Sequence, residues 1–193
     1  MKTLNSDKNE KYLINPDQGF EKTDNWFCFN PKTIILATVT FSSTVIRFSP
    51  INIRKKYTFK NVGIFLTGGS AAGRLLKSGI YKNNVDNTPD FNNLLFDFPI
   101  IDCSSSSERL SNLSSNIIIN PGIYWVGFSA NAGVILQSVS GNTAFFDIFG
   151  NATITNSSIS GYQASYSYNG LMPSSPLILT AISSAPIMFF QSA

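Results

Sequence analysis

Asp97 and Asp102 are the two carboxylates whose spacing could do chemistry. A glycoside hydrolase needs two carboxyl groups facing across a sugar at roughly 5–10 Å, and this pair, flanking one strand, could meet that distance. The plainer placement puts Asp97 on the solvent face of the strand and Asp102 in the turn after it. Asp86 and Asp90 sit in an Asn-rich stretch that offers oxygen ligands, but their spacing matches no calcium loop, and a solvated loop is the simpler reading. Asp147 stands alone among phenylalanines. The chain has no histidine, which removes Ser-His and Cys-His nucleophile systems and the usual near-neutral acid or base. Its two cysteines, Cys28 and Cys103, lie far apart with no CxxC partner; they read as free thiols and not as a zinc site, so neither metal nor cofactor is expected. The sequence therefore reads as that of a protein that is not an enzyme.

Recognition chemistry is better represented. Tyr162, Tyr166 and Tyr168 fall at near-alternate spacing in a Ser/Asn/Gly-rich stretch. Tyrosine offers rigid area with a polar tip, and Ser, Asn and Gly offer adaptable hydrogen bonds, a composition suited to an uncharged glycan or protein surface. The same spacing also fits alternate positions of a strand packed in a core or at a subunit contact. Arg54-Lys55-Lys56 is the one cationic cluster, short enough to be a solvated turn, and a net charge of +3 makes no nucleic-acid face. Gly68-Gly-Ser-Ala-Ala-Gly73 lacks the Lys-Ser/Thr pair and helix of a phosphate-binding loop and reads as a hairpin loop.

The elements that would position these residues are strands. Charged residues make up 13% of the chain, about half the usual share, while Phe numbers 16 and Ser, Asn and Thr supply the polarity. No segment keeps a helical period. β-branched and aromatic runs recur about every 8–12 residues between turn signals, the mark of a sandwich or barrel. The central stretch is 119–137: the turn Asn120-Pro121-Gly122, a strand over 123–128, a loop over 129–133, and a partner strand over 134–139, read as one hairpin. The unbroken run 33–41 suggests a strand covered on both faces, 44–48 a short strand stopped at Ser49-Pro50, and 104–116 a turn with a polar run. Beyond Arg109 the only charged residue in 84 positions is Asp147, which suggests that much of this half is covered by its own second sheet or by identical subunits.

Residues 1–25 differ. Four Lys and five acidic residues with few apolar ones read as an N-terminal arm, extended or disordered, that orders on a partner, with Tyr12, Leu13, Ile14 and Phe20 as anchor points; residues 26–193 form the β domain. The first residues lack the apolar core of a signal peptide, and no run approaches the ~20 apolar residues of a membrane span, so synthesis in a cytoplasm and no membrane insertion are expected. The Asn-X-Ser/Thr matches at Asn112, Asn151 and Asn156 are then chance matches.

An ordered series of motifs resembles bacteriophage tail-fibre and head-fibre appendage proteins. It runs through Arg47-Phe48-Ser49-Pro50, Val62-Gly-Ile-Phe65, the Gly68–Gly73 loop, Ile80-Tyr81, Leu94-Leu95, Pro121-Gly-Ile-Tyr-Trp-Val126 and Gly170-Leu171-Met-Pro173, and covers roughly residues 30–193. The resemblance implies an antiparallel jelly-roll sandwich, a homotrimer on a virion made in a bacterial host, contacts to other virion proteins through the arm, and attachment to a host surface glycan or protein. It carries over no catalytic residue. The chain departs from that pattern in having only the charged leader before the domain, which leaves tail or capsid placement open, and a purely architectural decoration role is the alternative.

Overall fold

The computed structural model describes residues 26–27, 35–140 and 159–193. Among them there is no helix, and fourteen strands follow in chain order. These are β1 (Trp26–Phe27), β2 (Ile35–Thr40), β3 (Val45–Ile53), β4 (Tyr57–Gly68), β5 (Leu75–Asn83), β6 (Pro89–Asp97) and β7 (Ile101–Asp102). After them come β8 (Ser107–Ile119), β9 (Gly122–Ala130), β10 (Ile135–Ser140), β11 (Gly161–Ser165), β12 (Thr180–Ile182), β13 (Ser184–Pro186) and β14 (Phe189–Ser192).

Every pairing is antiparallel. One sheet is built on β2-β10-β4-β8 and the other on β3-β9-β5-β6, so the chain crosses between layers at β2/β3, β3/β4, β4/β5, β7/β8, β8/β9 and β9/β10, and again at β12/β13. This strand order is a jelly roll, and the two sheets pack as a sandwich. It corrects the central hairpin: β9 and β10 lie in different sheets, and so do β4 and β5 around the Gly68–Gly73 loop. Period-two patterning shows which face is buried but not which neighbour pairs.

Three further readings change for physical reasons. Strand β3 continues through Pro50 to Ile53, because β11 runs beside only Val45 to Phe48 and leaves Pro50 no second ladder to supply with an N–H. Strand β2 is not covered on both faces: Val39 is buried while Thr38 and Thr40 are exposed. The polar run after Cys103 is largely β8, an edge strand whose outer side meets water and so needs no apolar alternation.

The inner faces meet in the main core, where Phe59, Val62, Ile64 and Phe190 of the first sheet face Ile51, Ile80, Val126 and Phe128 of the second. A second core covers the outer face of the second sheet. Phe48, Tyr81 and Phe91 meet there edge to face at 5.4–5.8 Å beside the fully buried Trp125, under residues 166–179. Hence β5 and β9 are buried on both faces. The facing glycines Gly79 and Gly127 leave a slot for Met172, whose Cε lies 2.6 Å from where a Cβ on Gly127 would stand.

The chain's end closes the first sheet. β4 and β10 pair directly only at Leu66 and Gly68, then diverge; β14 takes the vacated edge of β4 and β13 that of β10. β1 adds to β14.

Candidate functional site

The carboxylates are spent locally. Lys77, buried on the outer face of β5, donates to Phe98 O at 2.6 Å and meets Asp97 Oδ1 at 2.8 Å. Asp97 is 43% exposed, so the pair contributes little beyond satisfying the buried ammonium. Asp102 accepts from Ser104 N–H at 2.9 Å and from its hydroxyl at 3.0 Å. Asp90 accepts from Asn92 N–H and the Asn93 amide, and Asp86 from the Thr88 hydroxyl. Each acid thus shapes its own loop. Among the described residues no group of three or more His, Cys, Asp or Glu could hold a metal. Cys103 is a buried free thiol; Cys28 and Asp147 lie outside the described residues, as do Tyr12, Leu13, Ile14 and Phe20.

The three tyrosines are strung along the second sheet without converging on one opening. Tyr162 packs on Trp125 at 5.4 Å between ring centroids. Tyr166 donates its hydroxyl to Asn169 Oδ1 at 3.0 Å and to Leu171 O at 3.2 Å. Tyr168 ties its backbone N–H to Ser43 O at 2.8 Å, and its hydroxyl is buried without a partner among the described residues. Burial raises all three phenol pKa values, so each stays protonated at neutral pH.

Two features were not read from the sequence. The first is a stapled loop end. Arg74 donates to Gly69 O and, at 2.5 Å, to Gly133 O, while the Asn131 side chain accepts from Leu75 N–H and donates to Gly73 O, both at 2.8 Å. Two side chains therefore lock the β4–β5 and β9–β10 loops together. Only the abundance of small residues there hints at it, since an arginine's reach to a distant carbonyl leaves no local pattern.

The second is an apolar groove on the outer face of the first sheet, about 230 Å³ in volume and lined by Trp26, Gly63, Ile64, Phe65, Glu108 and Phe189. Gly63 stands opposite Leu110 on one side and Phe189 on the other, so its missing side chain opens the column between them. A Cβ there would come within 3.1 Å of Leu110 and 3.2 Å of Trp26. Phe65 is 42% and Leu110 43% exposed, and Ile118 adds an exposed apolar side chain on the same face. The alternation of β4 held a signal for it, because Phe65 sits out of phase with the buried Ile64 and Leu66.

Among the described residues, fold and site together describe a β-sandwich with a stapled loop end and a partly exposed apolar sheet face, and with no assembled acid–base or metal constellation. No protein-family model matches the chain, and a search of curated proteins finds no match.

Proposed function

We propose that this chain is a non-catalytic structural protein of a bacteriophage virion, a fibre or spike appendage whose jelly roll assembles as a homotrimer and meets the host surface through loops at one end. Residues 1–25 join it to other virion proteins in this reading. The observation that carries it is the apolar outer face of the first sheet, where Phe65, Leu110 and Phe189 flank the groove at Gly63 and Ile118 lies exposed farther along the same face. Exposed apolar area of this kind marks association surfaces. The stapled, nearly uncharged loop end adds support, since a rigid set of small polar loops suits a neutral glycan or protein.

A second reading, architectural decoration without a receptor, is favoured by the tyrosines, whose rings and hydroxyls serve the chain's own packing. Light scattering of the full-length chain over a range of concentrations, followed by adsorption to bacterial cells, separates the readings. The first predicts a trimer that adsorbs. A trimer that does not adsorb leaves the architectural role, and a monomer at every concentration overturns the assembly on which both depend.

A further inference from the structure

One row of side chains runs out of the main core and into solvent across five strands of the second sheet: Ser78, Phe128, Arg47, Gln163 and Thr180 stand directly opposite one another in turn. Residues opposite in an antiparallel ladder share a face with Cβ atoms about 5 Å apart. Ser78 and Phe128 are buried, Arg47 and Gln163 half-buried, and Thr180 exposed, so the row emerges where β11 and β12 extend the sheet past β3. The neighbouring pair, Val45 opposite Ser165, lies on the same face. Val45, Gln163, Ser165, Ile178 and Thr180 line a groove there of about 390 Å³, within the range of small-ligand sites, and Arg47 stands outside the lining, next to Gln163 in the ladder at the groove's inner side.

Arg47 is the unusual member. Its guanidinium carbon lies 5.5 Å from the centre of the Phe41 ring, and Nε is buried with no acceptor. Among the described residues no carboxylate pairs with it, and the side chains of Gln163, Ser165 and Thr180 carry no hydrogen bond. Burial lowers the guanidinium's pKa, and the group still keeps its charge at neutral pH. A partly desolvated cation and three unengaged hydrogen-bonding side chains on one face, over aliphatic Val45 and Ile178, are complementary to a ligand with one carboxylate and several hydroxyls.

We propose that this flank groove binds an acidic saccharide, with Arg47 on the carboxylate and Gln163, Ser165 and Thr180 on hydroxyls. A saccharide fits better than a lone anion, because the neutral donors and acceptors continue outward from the cation for two further ladder positions. The inference deepens the host-attachment reading and rests on it for its biological setting.

The test titrates the full-length protein with trigalacturonate and, separately, with uncharged galactotriose, reading saturation-transfer NMR and calorimetry. Saturable binding of the acidic probe is expected, with at least about tenfold weaker binding of the neutral one, of Arg47→Gln and of Gln163→Ala. Gln163→Ala and Thr180→Ala keep the test decisive if Arg47→Gln fails to fold, since their side chains make no hydrogen bond or ion pair among the described residues. Equal affinity for the two probes, no saturable binding, or binding unchanged by Gln163→Ala overturns the proposal. Adsorption to bacterial cells is measured in parallel: adsorption without probe binding removes the groove and keeps the attachment reading, whereas probe binding without adsorption does the reverse.

Discussion

Cys103 has no exposed surface, and burial pushes its thiol up from 9.0 to about 11, with the Asp102 carboxylate adding to the shift and Arg109 opposing it. The unfolded thiol releases its proton near 9.0 and the folded one only near 11, so this contribution to stability is whole below 9.0 and is lost as pH rises through 11. Tyr81, whose hydroxyl donates to Pro173 O at 2.8 Å and whose pKa burial drives far upward, adds a loss that begins near 10.0. Urea midpoints followed from about pH 8 upward should therefore fall, and Cys103→Ala should flatten the part of the fall between the two onsets, by on the order of 1–2 kcal/mol. An identical slope in both proteins would remove Cys103 as a cause. The sequence read Cys103 as a free thiol, and Asp102 adjoins it in the chain at the end of β7; Arg109 belongs to β8, and only the fold brings it near.

Strand positions were largely legible where β-branched and aromatic residues crowd together, as in β9 and β10. Where tertiary context overrides local pattern the reading failed. In β8, four residues, 113–116, stand opposite the single Lys60, and in β6, 90–93 stand opposite Lys82; both edge strands bulge, and a bulge erases period two. In β6 the bulge has a purpose, since it turns Phe91 into the second core. The seam between β4 and β10 was equally hidden, because its filler comes from the far end of the chain. Phe190 of β14 is fully buried, 5.0 Å from the Phe59 ring, so Phe190→Ala should cost about 3–5 kcal/mol in urea unfolding. A loss under about 1 kcal/mol would mean that the seam closes without it. The loop staple belongs to this scale as well. Arg74→Ala should raise hydrogen exchange in the 69–74 and 131–134 loops while lowering global stability by only about 1–2 kcal/mol, since the lost bonds tie loops and not sheets. Unchanged exchange there would show that Asn131 alone holds the loops.

At the scale of the molecule, the described residues cover the second sheet on both faces and leave the first sheet's outer face partly exposed, which is where the proposed assembly would bring copies together. The outer face of the second sheet is sealed by residues 166–179, with Met172 in the slot between Gly79 and Gly127. The outer face of the first carries Phe65 and Leu110 exposed beside a groove that Gly63 leaves open, and Ile118 exposed farther along. The scarcity of charge after Arg109 pointed to cover of some kind; the sealed second sheet accounts for one share of it, and the proposed assembly for the other. If copies associate through the open face, charge placed on it must act on assembly and spare the fold, because neither side chain reaches the core. Phe65→Lys with Leu110→Lys should therefore lower the mass measured by light scattering to that of a monomer, through buried unpaired charge and lost apolar contact, while the urea midpoint measured at monomer concentrations stays within about 0.5 kcal/mol of the unsubstituted chain. A trimer that persists in this variant would place its contacts elsewhere, and the outer edges of β2 and β12, which no other described strand pairs, would be the next surfaces to charge.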